Sequence, residues 1–299
     1  MRVDKLTLQI FRATWALEPR LALSFSDFVG NLVTGNLIDV EEKPALQAMA
    51  LTPEGQMLKL YGRSEEGKPE SYFDNIPKGS TAIIPLRGEM LKEDTWCSYG
   101  TETLARVIME SAAHKNIASI LVDGDSGGGA VDAIGPLLDA RKFVKSQGKP
   151  IIGRGDLIAS AAYYFFSSLD LIIAANDISS TFGSIGVMVS FADVQPYYEK
   201  QGVKFHTIYA PESDYKNLPF ELALKGKYDL IKKEMLSPLA RKFQNDVRNN
   251  RQGKIDITVK GILNGRMFYA ADAVKYGLAD EIGDFEHAIR RAKELADNR

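Results

Sequence analysis

The 299 residues are 45% hydrophobic and 25% charged, an ordinary globular composition for one large domain or one domain with an appended segment. The formal net charge of −2 gives no global attraction for nucleic acid or anionic lipid, and a single cysteine, Cys97, excludes an intramolecular disulfide or a cysteine-based metal cluster. No cofactor or metal motif stands out.

Charged residues Arg2, Asp4, Lys5 and Arg12 interrupt the N-terminus, so no secretory signal is expected there. Residues 1–79 read as an irregular extension, punctuated by Gly55, Gly62, Gly67, Pro69 and Pro77, that packs on or wraps a main domain of residues 80–299. From Thr81 the texture changes. Thr81–Leu86 and Ile117–Val122 are apolar strands with a helical pattern, Thr101–Ala113, between them. The segment Asp123–Gly129 reads as a turn. A helix follows through Val131, Ile134, Leu138 and Val144, kinked or started at Pro136. Pro150–Gly153 is a strand and Ile158–Phe166 a buried helix. Leu171–Ala174, Ser184–Val189 and Lys204–Tyr209 are further strands. The apolar run Leu157–Leu169 is too short to span a membrane, which takes about 20 residues, and reads as core. A long helical pattern then runs from Leu224 to Val247, with Ser237-Pro238 starting a second helix inside it. Ala271–Tyr276 is stopped by Gly277, and Phe285–Leu295 forms the last helix. Twelve Lys/Arg against seven Asp/Glu between Lys204 and Lys260 read as the wet face of a helix. Alternating strands and helices make the class α/β, with buried strands covered on both faces.

Two serines compete as nucleophile. Gly124-Asp125-Ser126-Gly127-Gly128 spells the signature of chymotrypsin-like proteases, with His114 upstream. Those enzymes are double β-barrels with histidine and serine far apart in sequence, whereas His114 precedes Ser126 by only twelve residues in a strand–helix context. The glycines fit either a plain tight turn or an oxyanion or anion site built from backbone N–H groups. The second serine, Ser160, lies among small residues at a helix start that favours negative charge. Neither His206 nor His287 completes a triad pattern. A lysine desolvated enough to lose its proton can serve instead, and Lys216 sits in a loop before the long helix.

The order of the pieces is more specific than any one of them. Ser126-Gly127-Gly128-Gly129, then Ala159–Tyr164, then Gly183-Ser184-Ile185-Gly186-Val187, then Tyr215-Lys216 resembles the signal peptide peptidase A family. Asn264–Phe268, Ala270–Ala273, Gly277–Asp280 and Ile282-Gly283 resemble that family's closing segment, so the likeness covers about residues 80–290. It implies a Clp protease/crotonase-like spiral of ββα units with C-terminal helices. It further implies a serine endopeptidase with a Ser160–Lys216 dyad and oxyanion donors at Gly128, Gly129 and Ala161. Gly183, Ser184, Ile185 and Gly186 correspond to a substrate-binding segment. Gly127 departs from the family's usual proline, and Ala161-Ala162 replace its paired glycines, which narrows the backbone's options there.

The partners so implied are a polypeptide substrate and neighbouring protomers of a cyclic homo-oligomer. The extension and Trp15-Ala16-Leu17-Glu18-Pro19 look more like the phage and prophage branch. That branch implies capsid maturation by scaffold cleavage and self-processing, in the cytoplasm or an assembling phage head, with capsid scaffold or portal proteins as partners. A soluble cytoplasmic peptidase is the alternative. A crotonase-like acyl-CoA enzyme and an inactive assembly protein are readings of other classes.

Overall fold

The computed structural model describes residues 46–63, 69–95, 98–191, 193 and 195–299, with the backbone of Trp15–Leu17. Cys97 and most of the first 45 residues lie outside the described residues.

The strands are β1 (Trp15–Leu17), β2 (Met49–Leu51), β3 (Met57–Lys59), β4 (Tyr61–Arg63), β5 (Pro69–Ser71), β6 (Ser80–Met90), β7 (Ile117–Ala130), β8 (Ile151–Ala159), β9 (Leu171–Ala174), β10 (Thr181–Gly183), β11 (Met267–Tyr269) and β12 (Glu281–Ile282). The main helices are α1 (Thr101–Ala113), α2 (Ile134–Ser146), α3 (Ala161–Phe166), α4 (Gln195–Lys200), α5 (Leu218–Leu224), α6 (Ser237–Asn250), α7 (Ala270–Lys275) and α8 (Phe285–Asp297). The central sheet runs β3-β2-β6-β7-β8-β10-β11, and β6, β7, β8 and β10 are parallel. β9 also pairs with β8, at Ile152–Gly155, before β10 takes over at Leu157–Ala159.

The strands are continuous apolar runs because both sheet faces are covered. Ile83, Leu121, Ile152 and Leu171 are successive partners across four strands, and this row packs against Ala288, Ile289 and Ala292 of α8. Their strand neighbours Ile84, Ile120 and Ile151 face the opposite side, in the larger core with α1, α2 and α3. That alternation follows from the two-residue period of a strand. The architecture is the α/β class expected, with helices closing the C-terminal part.

Several elements differ from expectation. Asp123–Gly129 is not a turn: β7 continues through it to Ala130, bulged against β6 between Arg87 and Glu89. Ile158 and Ala159 belong to β8 and not to the following helix. The strand expected at Ser184–Val189 lies instead at Thr181–Gly183, and Lys204–Tyr209 has no strand. The long helical pattern after Phe220 is broken into α5, a turn at Asp229–Ile231, a π-helical turn at Lys232–Leu236, and α6 starting at Ser237. The β2–β3 hairpin joins the sheet through Met49↔Ile83, so residues from 46 onward pack directly on the main sheet.

Candidate active site

Ser160 is the residue between β8 and α3. Its main chain stands at φ 53°, ψ −119°, a left-sided conformation that side chains rarely adopt. Its N–H donates to Gly183 O at 2.9 Å, and its carbonyl accepts from Tyr164 N at 2.9 Å, opening α3. The strand is thus clamped to β10 on one side and the helix starts on the other, which forces a sharp strand-to-helix elbow. Strained elbows of this kind persist only where surrounding structure over-determines them, and they recur at nucleophiles. Ser160 is 1% exposed, and its hydroxyl donates to Gly186 O at 3.5 Å.

The Gly183–Gly186 segment wraps this elbow. Ser184 also has positive φ, its N–H donates to Arg266 O at 3.1 Å, and Ile185 is fully buried. Gly183 must be glycine, because a Cβ there would come within 2.3 Å of Arg266 O. The structure therefore brings Gly183 and Gly186 onto Ser160 through its backbone and hydroxyl.

Gly128 and Gly129 lie on the part of β7 that outruns β8. The last β7–β8 partner is Ser126↔Ile158, two residues before Ser160, and β7 runs on from there through its bulge to Gly128 and Gly129. Gly128 has φ 99°, and its N–H donates to Ser126 Oγ at 3.2 Å. Gly129 is glycine for close approach: a Cβ would sit 2.0 Å from Met90 O. Ala161 is the first residue of α3, and such an amide has no intrahelical acceptor.

Ser126 is structural. It is 1% exposed, donates to Gly88 O at 2.5 Å and accepts from Gly128 N, which holds the bulge together. His114 follows α1, three residues before β7 begins, while Ser126 is nine residues along that strand. At about 3.3 Å per residue the two are separated by roughly 30 Å, which ends the chymotrypsin-like reading.

Among the described residues the Ser160 hydroxyl has Gly186 O, and not Lys216, as its hydrogen-bond partner. Lys216 lies exposed in the turn between Pro211–Ser213 and α5, its N–H donating to Ser213 O at 3.0 Å. Of thirteen exposed large hydrophobic side chains among the described residues, eight fall between Phe191 and Tyr228, including Phe205, Ile208 and Tyr215. Concentrated exposure of this kind marks an interaction surface.

Sequence reasoning missed a cleft of about 190 Å³ beside the elbow, lined by Val131, Ile134, Tyr164, Val187, Leu239 and Phe243. Its walls are the residues directly following the site segments: Val131 after Ala130, Tyr164 one turn past Ser160, and Val187 after Gly186. The four-residue spacing of Leu239 and Phe243 was the available signal. Tyr164 stacks on Phe243 at 4.6 Å and donates to Asp246; burial, then that carboxylate, push its hydroxyl well above the usual tyrosine value. On the neighbouring position of α3, Tyr163 is fully buried and donates to Leu278 O at 3.0 Å, tying the helix behind Ser160 to the closing segment. That segment is itself pinned. Arg251, 1% exposed, makes two 2.9 Å hydrogen bonds to Asp280 and a third to Gly277 O, and Asp280 also accepts from Ile172 N at 2.8 Å.

A buried serine on a strained strand-to-helix elbow, in a parallel α/β sheet, is the geometry of a hydrolase nucleophile. The profile described as peptidase family S49 matches residues 143–299, more than half of the chain and all of Ser160, Gly183–Gly186 and Lys216. The chain belongs to peptidase family S49. It is 23% identical over 269 residues to Protease 4 of Haemophilus influenzae, covering 80% of this chain and 41% of that protein. The chain thus spans less than half the length of that relative. Among solved structures it is similar to a membrane-bound stomatin-specific protease (TM-score 0.46, 13% identity, 72% of this chain and 84% of the other). It is also similar to ClpP1 of Listeria monocytogenes (TM-score 0.37, 13% identity, 69% of this chain and 94% of the other). No helix among the described residues is long and apolar enough to cross a membrane.

Proposed function

We propose that the protein is a serine endopeptidase in which Ser160 Oγ attacks the scissile carbonyl and Lys216 accepts its proton. The observation that carries this reading is the elbow at Ser160, held in a costly conformation by Gly183 on one side and α3 on the other. The oxyanion would be met by amides of Gly128, Gly129 and Ala161, each such donor being worth ~3 kcal/mol in the transition state. Gly128 N–H would exchange the Ser126 hydroxyl for the oxyanion. The apolar cleft at Val131, Tyr164 and Val187 suits an apolar substrate side chain.

In this reading Lys216, exposed in the turn before α5, is supplied to Ser160 or covered by a neighbouring protomer. The exposed apolar side chains of the same stretch of chain, Phe205, Ile208 and Tyr215 among them, favour that assembly. Burial against a neighbour would strip water from the ammonium and favour the neutral amine needed in a base. A cyclic homo-oligomer therefore makes site completion and assembly one event. For the biological setting we infer capsid maturation, in which scaffold protein is cut and the chain processes itself. A signal-peptide-peptidase-like role is the second reading, favoured by the similarity to Protease 4.

Fluorophosphonate labelling with intact-mass analysis tests the nucleophile. Wild type and Ser126→Ala should gain one adduct and cleave a casein substrate, and Ser160→Ala should do neither. Labelling that survives Ser160→Ala and disappears in Ser126→Ala would overturn the assignment. Co-expression with a candidate scaffold protein separates the two settings: cleavage of scaffold but not of a signal peptide supports capsid maturation.

A further inference from the structure

A strand has two hydrogen-bonding edges, and in β7 both are occupied beyond the end of β8. β6 follows one edge out to Glu89↔Gly128 and Met90↔Gly129. β8 follows the other only as far as Ile158↔Ser126, because the chain leaves the sheet at Ser160. The vacated edge is filled by β1, antiparallel, with Trp15↔Ala130, Ala16↔Gly129 and Leu17↔Gly128. Leu17, opposite Gly128, is the β1 residue closest along β7 to the last β8 partner, Ser126↔Ile158, and β1 runs toward the end of β8 that carries Ser160.

An extended polypeptide whose backbone is to be cut must lie beside Ser160, and main-chain pairing to an open sheet edge is the general means of holding one. Here the edge available is the stretch that β1 covers. We propose that Trp15–Leu17 is an intramolecular occupant of the substrate strand, which an external polypeptide must displace before it reaches Ser160. This rests on the proposed peptidase site and adds its regulation: the chain is held closed by its own N-terminal strand. Where only a fraction of molecules is open, apparent affinity falls by that fraction, so a strand displaced in one molecule in ten weakens peptide binding about tenfold.

Proline removes the ladder donor at its position. Donors facing β7 alternate along β1, so they come either from Ala16 or from Trp15 and Leu17. Ala16→Pro and the double variant Trp15→Pro/Leu17→Pro therefore cover both registers. Each is made in the full chain carrying Ser160→Ala, and binding of fluorescein-labelled FRATWALEPR is followed by anisotropy. Amide exchange of Gly128–Ala130 is measured on the same proteins. At least one proline variant should bind the peptide about tenfold more tightly than the parent and exchange Gly128–Ala130 faster. Continued protection at Ile120–Val122 shows that the sheet is intact. Equal exchange at Gly128–Ala130 in all three proteins overturns the proposal, as does equal peptide affinity. Failure of wild type to label with fluorophosphonate would sink the peptidase reading instead, because exchange and binding report occupancy without catalysis.

Discussion

The backbone at Ser160 can be tested by stability, independently of catalysis. A side-chain-bearing residue at φ 53°, ψ −119° costs about 1–3 kcal/mol, and glycine is largely spared that cost. Ser160→Ala removes the hydroxyl but keeps the Cβ and its strain, whereas Ser160→Gly removes both. Glycine's extra freedom in the unfolded chain takes back about 0.4–1 kcal/mol. Ser160→Gly should therefore be more stable than Ser160→Ala by about 1 kcal/mol. Ser167 supplies the opposite case on the same helix. It is equally buried but stands at φ −55°, ψ −23°, ordinary helical values. There the glycine variant should be less stable than the alanine variant by about 0.5–1 kcal/mol. Urea unfolding of the four variants at one protein concentration measures both differences; with a slope of roughly 3 kcal/mol per M, 1 kcal/mol moves the midpoint about 0.3 M. Both Ser160 variants should be inactive. If Ser160→Gly is no more stable than Ser160→Ala while the Ser167 pair behaves as stated, the elbow is not strained and the argument fails.

Other consequences are more direct. Asp280→Asn leaves the buried Arg251 guanidinium without its carboxylate and should cost about 3–5 kcal/mol in urea unfolding, against under about 1 kcal/mol for Asp139→Asn in the exposed pair with Lys142. Burial pushes the Asp280 carboxyl up, but the hydrogen bonds and charge of Arg251, with Lys254 and Ile172 N–H, outweigh it and leave its pKa below the ordinary value. Stability from this group is thus full above the unfolded carboxylate value of about 3.9 and lost as pH falls through the lower folded value, so Asp280→Asn should flatten the acid limb of the stability curve. Lys216→Arg should abolish peptidase activity, since a guanidinium stays protonated; a Lys216→Arg enzyme that keeps wild-type activity excludes the role. If the dyad is shared between protomers, Ser160→Ala and Lys216→Ala chains should regain activity when co-assembled, and no rescue in demonstrably mixed oligomers would place both groups in one chain.

What the sequence made legible follows what local pattern can encode. β9 and the first parts of β7 and β8 were readable because burial on both faces leaves unbroken apolar runs. Composition misled at Asp123–Gly129, where Asp, Ser and Gly together ordinarily mean a turn. Gly129 is small because Met90's main chain occupies the place of a side chain, a long-range cause invisible in the local sequence. Lys204–Tyr209 has strand-like texture but forms no strand, and Lys204–Ile208 stay exposed. The apolar stripe from Ile231 to Val247 repeats every four residues, more than the 3.6 of an α-helix. The π-helical turn at Lys232–Leu236 takes up part of that excess, so the periodicity ran straight across a break it could not reveal.

The site divides along the same line. Ser160 and the Gly183–Gly186 segment are joined by β8 and β10 of one sheet, so their sequence blocks and their spatial contact have one cause, the parallel register Ala159↔Gly183. Lys216 has no such scaffold. Its turn belongs to an exposed stretch rich in unburied aromatic and aliphatic side chains. A general base must be held within hydrogen-bond reach of the proton it takes, about 3 Å. If Lys216 is that base, its exposed turn must be positioned by whatever covers it, and the dyad then makes assembly part of building the site.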